Sequence, residues 1–381
     1  MRIAVLKEVR DGETRVAASP ETVKKLVAVG HTVTIESAAG SAASTPDQMF
    51  ADMGATIASD PKSTLKDADL VMKVRRPTLA ELKIIPKGAG VIAFWNPHSD
   101  KALIEAAAKA GIVALSMEFT PRISRAQAMD ALSSQANLAG YRAVIEAAAL
   151  YGRGFPMMMT AAGTVSATKC FVMGAGVAGL QAIATARRLG AIVTANDVRP
   201  AAKEQVGSLG AKFVAVEDEE FKAAETAAGY AKPMSPEYQA KQAILVADHI
   251  AKQDVVITTA LIPGRQAPVL VTPDMVAAMK AGSVIIDMAV EQGGNCPLSK
   301  ADEVVVTDNG VIIAGFTNLP GRLAADSSAL YAKNLLNLLP LLADKDSGAF
   351  APAFDDEIIK GMLLTHDGAM VHPALLPAIS V

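Results

Sequence analysis

The sequence predicts an α/β protein with two doubly wound parallel-sheet domains joined by long helices. Three observations carry that expectation. Short β-branched runs alternate with longer Ala- and Lys-rich stretches of helical period, the pattern of parallel strands connected through crossover helices. The alternation occurs twice, on either side of one long helical stretch. The length, 381 residues, suits two or three domains at roughly 150 residues each.

Composition narrows the class. Apolar residues make up 51% and charged residues 20%, which permits a substantial core and excludes a disordered chain. Aromatics are 4%, and 36 Lys and Arg against 39 Asp and Glu leave a net charge of −3. Neither an aromatic stacking platform nor a cationic excess is present, so no nucleic-acid partner is expected. Cys170 and Cys296 are too few for a disulfide framework. The opening MRIAVLKEVRDGETR carries an apolar run too short for a signal-peptide core. The most apolar C-terminal stretch, 334–343, is about half of the ~20 residues that span a bilayer. A soluble, cytoplasmic chain is expected.

In the first half, strands are expected at 2–6, 32–36, 70–74, 90–94 and 112–117, with helices at 20–29 and 102–110. Ser19 reads as N-cap, Pro20 as the first helical residue and Gly30 as the stop. In the second half, strands are expected at 169–173, 192–195, 212–215, 254–258 and 283–287. A helix over 125–151 would link the two domains, and a helical stretch at 327–342 would return the chain to the first. The expected domains are then 1–125 with 325–381, and 126–324. Between the strands at 212–215 and 254–258 lie more than 35 residues, acidic at Glu217, Asp218, Glu219 and Glu220 and later carrying Gly229, Tyr230, Pro233 and Pro236. Two readings stand for this stretch: a loop near 222–236 that closes over a ligand, and a surface helix followed by a plain turn.

Residues 169–179 read KCFVMGAGVAG. Gly174, Gly176 and Gly179 form G-x-G-x-x-G between a strand and the helical run 177–189. Gly174 permits a tight turn, Gly176 lets the backbone approach a pyrophosphate, and Gly179 lets helix and strand pack closely. The helix start offers unpaired N–H groups and the positive end of its dipole. Asp197 follows 18 residues after Gly179, at the end of the next strand, where a carboxylate accepts ribose hydroxyls and repels a 2′-phosphate. NAD(H) is therefore expected over NADP(H), although Arg199 pulls the other way. The run Thr258-Thr259-Ala260-Leu261-Ile262-Pro263-Gly264 follows a later strand and reads either as an ordinary polar turn or, beside the glycine loop, as a lining of the ligand crevice.

Residues 122–135 read RISRAQAMDALSSQ. On a helix, Gln127, Asp130 and Ser134 share a face with Ser133 at its edge, and Arg122 lies just before it. Such a cluster could hold a carboxamide, with Arg122 and Asp130 as a charge pair. Ser124-x-x-Gln127 also reads as a capping box without function. No H-E-x-x-H, paired C-x-x-C or G-x-S-x-G occurs, and no metal site is expected. His98 reads either as an acid–base group near a strand end or as a loop histidine. Cys170 and the run Met157-Met158-Met159 read as core.

Taken together, RISRAQAMDALSSQANLAGYRAV, FPMMMTAAGTV, GAGVAGLQAIATARRLGA, AAGYAK, TTALIPG and AVEQGGNCPLS resemble the NAD(H)-binding domain I of proton-translocating nicotinamide nucleotide transhydrogenases. The likeness runs along essentially the whole chain, and without a membrane segment it looks like the soluble alpha-1 subunit of a split bacterial enzyme. The resemblance implies a homodimer of two Rossmann-like domains per chain with the cofactor in the interdomain cleft. NADH bound there passes hydride directly to NADP⁺, which a separate domain III holds and this chain does not. A membrane domain II couples the transfer to proton movement. The reaction would be of the AB-specific (Si-Re) type, active only with the partner domains, and the chain would sit peripherally on the cytoplasmic side of the inner membrane.

Carried over residue by residue, the resemblance places Arg122, Ile123, Ser124, Gln127, Asp130 and Ser133 around the nicotinamide, with Arg122, Gln127, Asp130 and Ser133 at the catalytic step. Ala175, Gly176 and Val177 would meet the pyrophosphate. Asp197, Val198 and Arg199 would meet the adenosine ribose. Gly229 and Tyr230 would belong to a mobile loop, and Gln242 and Leu261 would complete the site. Alanine dehydrogenase shares the fold and is the rival enzyme. Arg15 and Lys73 resemble its pyruvate-binding residues, but its catalytic histidine is Asn96 here and its catalytic aspartate is Glu291. A non-catalytic NAD(H)-sensing module is the second rival.

Overall fold

The computed structural model describes residues 1–223, 234–262 and 264–376. The chain forms two compact units, Met1–Gln135 with Pro320–Val381, and Ala136–Leu319. Among the described residues no helix is long and apolar enough to cross a membrane.

In the first unit the spatial strand order is Ala369–Met370, Leu363–His366, Val113–Ser116, Gly90–Phe94, Leu70–Arg75, Arg2–Val5, Thr32–Glu36, Thr56–Ala58. The six strands from Val113–Ser116 to Thr56–Ala58 are parallel, and the two from the C-terminal tail add on antiparallel. Alternate residues feed the two faces: Ile3 and Val5 enter one buried cluster, Ala4 and Leu6 the other. This strict period of two, with apolar residues on both sides, is what a sheet covered by helices requires.

The second unit repeats the plan. Its order is Lys212–Phe213, Ile192–Asn196, Lys169–Met173, Val255–Thr258, Val284–Asp287, Ile312–Ala314, Val304–Val306, parallel except for the last strand. Cys170 and Val172 face one core, Phe171 and Met173 the other. In each of these sheets the first strand in chain order sits beside the fourth, so the strand order reverses there. In open sheets of this kind, ligands bind beyond the C-terminal strand ends at such a reversal.

Most expected elements are present with ends moved by one or two residues. The expected helix over 125–151 is corrected. Residues Ser124–Met129 form a 3-10 turn and the α-helix is Ala131–Leu150. The reading of Met157-Met158-Met159 as core is also corrected. Met158–Thr160 pairs with Gly163–Val165 in a two-stranded hairpin whose residues are all exposed, and Met159 is 77% exposed.

Candidate functional site

The glycine loop follows the central strand Lys169–Met173. Gly174 adopts φ +103°, a left-handed conformation that suits glycine, and its amide donates to the Asn196 carbonyl at 2.9 Å. A Cβ on Gly179 would lie 1.8 Å from the Gly174 carbonyl oxygen, so helix and loop touch backbone to backbone. Gly140, on the Ala131–Leu150 helix, is equally pressed: its Cβ would meet the Ala178 oxygen at 2.0 Å. Gly176 differs, because a Cβ there would meet nothing within 4 Å. Gly176 is also the N-cap of the Val177–Arg188 helix, and no side chain caps it. Helices starting at Pro20, Pro61 and Pro236 have their first-turn amides taken by Ser19, Asp60 and Ser235. An uncapped helix start behind an open glycine fits a pyrophosphate.

Asp197 stands at the end of the neighbouring strand and is buried. Its Oδ2 accepts the Ala175 amide at 2.7 Å, which ties it to the glycine loop. Its Oδ1 accepts both the amide and Nε of Arg199 at 2.9 Å, and Arg199 Nη2 reaches Oδ2 at 3.1 Å. Arg199 also donates to the Ala175 carbonyl at 3.2 Å. The hydrogen bonds it donates to Asp197 raise the Arg199 guanidinium above its ordinary value. Val198, between them, is 67% exposed. Gln242 is half-buried, and its Oε1 accepts the Val216 amide at 2.8 Å. Gly229 and Tyr230, and Pro263 of the later loop, lie outside the described residues.

The end of the Val255–Thr258 strand carries features that the sequence reading missed. Thr259 Oγ1 donates to the Gly174 carbonyl at 3.1 Å. The next residue, Ala260, is held through its amide and its carbonyl by the Asn295 side chain at 3.1 and 2.9 Å. Asn295 is held in turn by the fully buried Asp287, whose Oδ1 accepts its amide at 3.1 Å. The available signal was an aspartate ending an apolar strand, followed by a Gly-Gly-Asn turn. Leu261 is 47% exposed.

In the first unit, residues 122–135 are arranged differently from the expected single helix. Ser124 and Gln127 form no capping box, and the N-cap of the 3-10 turn is Ile123, without a side-chain cap bond. Asp130 caps the α-helix instead: its Oδ1 accepts the Ser133 amide at 2.9 Å and its Oδ2 accepts the Ser133 hydroxyl at 2.5 Å. Among the described ion pairs none joins Arg122 to Asp130, so the expected charge pair is replaced by this cap. The break has a cause. The Ala128 carbonyl is taken by Asn334 and Asn337 of the Ala324–Leu338 helix at 2.9 and 3.0 Å rather than by a helical amide. Arg125 adds a two-pronged pair to Asp356 at 2.8 and 3.0 Å. On and beside this turn, Arg122, Ser124 and Gln127 are exposed, and Ile123, Asp130 and Ser133 are half-buried.

The remaining candidates are engaged internally. Buried Arg15 spends its fork on Glu13 at 2.7 Å and on Gln135 at 2.8 Å. Buried Lys73 pairs with Glu81 at 2.8 Å and Glu8 at 3.6 Å. Burial raises the Glu13 carboxyl, but hydrogen bonds from Arg15 and the charges of Arg15 and Arg75 outweigh it and bring the group to about 2. Asn96 is exposed at φ +48°, its amide donating to Glu118 at 2.6 Å. His98 is an exposed residue on the loop before the Lys101–Lys109 helix, its ring edge-on to Phe119. The Glu291 carboxylate accepts the Asn318 amide at 3.0 Å. Cys170 is fully buried, which pushes its thiol up to about 12.

Residues 4–139 match the family described as alanine dehydrogenase/PNT, N-terminal domain, and residues 143–373 match its C-terminal domain. The chain is 55% identical to an NAD(P) transhydrogenase alpha subunit of Rhodospirillum rubrum, over 98% of this chain and 99% of that one. A solved transhydrogenase structure from Sinorhizobium meliloti superposes with a TM-score of 0.89 at 53% identity, covering 97% of this chain and 100% of the other. An L-alanine dehydrogenase structure superposes with a TM-score of 0.82 at 26% identity, over 98% of each chain. The chain therefore belongs to the alanine dehydrogenase/PNT family, and within it to the NAD(P) transhydrogenase alpha subunits.

Proposed function

We propose that this chain is the NAD(H)-binding subunit of a proton-translocating NAD(P) transhydrogenase. It passes hydride directly between NAD(H) bound here and NADP(H) on a domain III partner, while a membrane domain II couples the transfer to proton movement. The observation that carries this reading is the uncapped helix start behind Gly176, set between the Asp197 carboxylate and the Thr259 loop. Gly176 and Val177 take the pyrophosphate on their amides, beside Ala175, whose own amide is held by Asp197, with Gly174 and Gly179 shaping the loop. Asp197, Val198 and Arg199 take the adenosine ribose. Arg199 is already neutralised by Asp197, so it offers a 2′-phosphate little and the site favours NAD(H). Gln242 and Leu261 belong to the same nucleotide wall, and Gly229 and Tyr230 to a loop that covers it.

Bound NADH supplies a hydride at C4 of its dihydronicotinamide. Moving that hydride to a second nicotinamide needs no protein proton donor, only close alignment of the two rings. Arg122, Ile123, Ser124, Asp130 and Ser133 orient the ring and its carboxamide, and Gln127 stands nearest the incoming NADP(H). The 3-10 turn that carries Ser124 and Gln127, with the others flanking it, is fixed by Asn334, Asn337 and Asp356, which is the rigidity such alignment calls for. The chain works as a homodimer, peripheral to the cytoplasmic side of the membrane through its partners, with AB stereochemistry. Arg15 and Lys73 favour the alanine dehydrogenase reading, but both are buried against carboxylates, and Asn96 lacks an imidazole to move a proton. Mixing the chain and NADH with an NADP⁺-loaded domain III should give rapid optical turnover. NAD⁺ with L-alanine should give none. Turnover of alanine, or NADH binding without transfer to domain III, would overturn the reading.

A further inference from the structure

We propose that Asn295, fixed by the buried Asp287 carboxylate, is the positioning residue for the nucleotide-facing wall formed by residues 259–261. The inference rests on the glycine loop being the NAD(H) site and names what holds the opposite side of that site in place.

Asn295 is fully buried. Its Oδ1 accepts the Ala260 amide at 3.1 Å, and its Nδ2 donates to the Ala260 carbonyl at 2.9 Å and the Pro268 carbonyl at 2.8 Å. A carboxamide that meets both polar groups of one residue fixes that residue's position and its rotation. A hydroxyl is too small to do this, and a carboxylate would press negative charge against two carbonyl oxygens. The main chain of Asn295 is held as firmly: its amide donates to Asp287, and its carbonyl accepts the Leu270 and Val271 amides at 2.8 and 3.0 Å.

Asp287 is itself buried without a cation among the described ion pairs. It is satisfied instead by a ring of neutral donors. Oδ1 accepts the amides of Ala289 and Asn295 at 3.0 and 3.1 Å and the Thr258 hydroxyl at 3.3 Å. Oδ2 accepts the Cys296 amide at 3.0 Å and the Ser299 hydroxyl at 2.6 Å. Gly294 (φ +79°) passes so close that a Cβ would lie 2.7 Å from Oδ2. An apolar residue would close a strand end without the cost of burying a carboxylate, so the charge here serves geometry. Its product is a loop folded around one point, with Asn295 pointing at Ala260. The other end of the wall meets the glycine loop, where Thr259 Oγ1 bonds the Gly174 carbonyl and would lie 2.4 Å from a Cβ on Gly174. Asp287, Asn295, Ala260, Thr259 and Gly174 thus form one continuous chain of contacts, ending at the turn that receives the pyrophosphate.

The test uses the full chain, with NADH titrated by fluorescence and hydride transfer followed with domain III at saturating NADH. N295A should raise the NADH dissociation constant about tenfold, while the saturated rate changes less than twofold and Ala260 amide exchange accelerates. N295D should bind better at pH 6 than at pH 8, because a protonated carboxyl regains a donor for the Ala260 carbonyl. If N295A does not fold, N295D carries the test; T259V, which removes the hydroxyl's bonds to the Gly174 and Met173 carbonyls, should separately weaken NADH three- to tenfold. Unchanged NADH affinity in N295A, or an NADH affinity in N295D that equals the unaltered chain's at both pH values where N295A is unfolded, overturns the positioning role and leaves the nucleotide reading intact. Failure of the unaltered chain to bind NADH overturns both.

Discussion

The two sheets share one plan, yet the turns after their central strands are opposites. After Lys169–Met173 the chain needs only Gly174, Ala175 and Gly176 to enter a helix that no side chain caps. After Arg2–Val5 it takes residues 6–19, and the helix it enters is closed by a Ser19–Thr22 capping box. That longer turn is filled by Glu8, Glu13 and Arg15, buried and paired with Lys73, Arg75 and Gln135. One turn offers amides to an anion, and the other has consumed its polar groups internally. Strand order puts a crevice at the same place in both sheets, but loop length and capping decide whether a phosphate finds donors there.

The contrast breaks most easily at Gly179. Alanine there would put a methyl group 1.8 Å from the Gly174 oxygen, so G179A should weaken NADH binding a thousandfold or more, about 4 kcal/mol. Titration within fivefold of the unaltered chain would show that backbone contact is not what shapes the site. In the first unit, E13Q should cost about 3 kcal/mol of unfolding free energy by leaving buried Arg15 without its carboxylate, with NADH affinity unchanged within twofold. The same group sets an acid limit. The folded Glu13 carboxyl is held at about 2 against an ordinary 4.5, so its contribution is complete above about pH 4.5 and is lost as pH falls toward 2. Burial moves Glu8 upward despite Lys73, so its contribution has the opposite sign, but it changes above about pH 4.5 and leaves the Glu13 slope below that pH untouched. Acid melts of the unaltered chain and E13Q should therefore converge near pH 2.

Smaller effects sharpen the reading of the 122–135 turn. Q127N should slow hydride transfer to domain III about tenfold and change NADH affinity less than twofold. Equal losses in both would remove Gln127 from the transfer step. D130A should cost about 1 kcal/mol of stability through the lost cap, whereas D130N should keep the cap and the melting temperature. Any loss of NADH affinity common to D130N and D130A then measures the carboxylate's charge.

Legibility in the sequence followed the same divide. The glycine loop could be read because its causes are local: a turn, an open approach and a close packing contact within six residues, with Asp197 at a fixed distance along the chain. Strands such as Lys169–Met173 and Gly90–Phe94 could be read because their apolar runs are continuous. The turn at Ser124–Met129 could not, because helix periodicity continues through it. There Asn334 and Asn337, 206 and 209 residues beyond Ala128, take its carbonyl, and Asp130 caps the helix that follows. The Asp287–Asn295–Ala260 chain and the Glu13–Arg15–Gln135 cluster were missed for the same reason, since each joins residues that only the fold brings together. The exposed methionines of the Met158–Thr160 hairpin looked like core because composition carries no sense of direction.

A crystal structure of the chain with NADH tests the difference between the two turns most directly. The pyrophosphate should lie on the amides of Gly176 and Val177, with the adenosine ribose at Asp197 and no density at residues 6–16. A nucleotide seated on the first unit's turn, or a glycine loop left bare at saturating NADH, would contradict it.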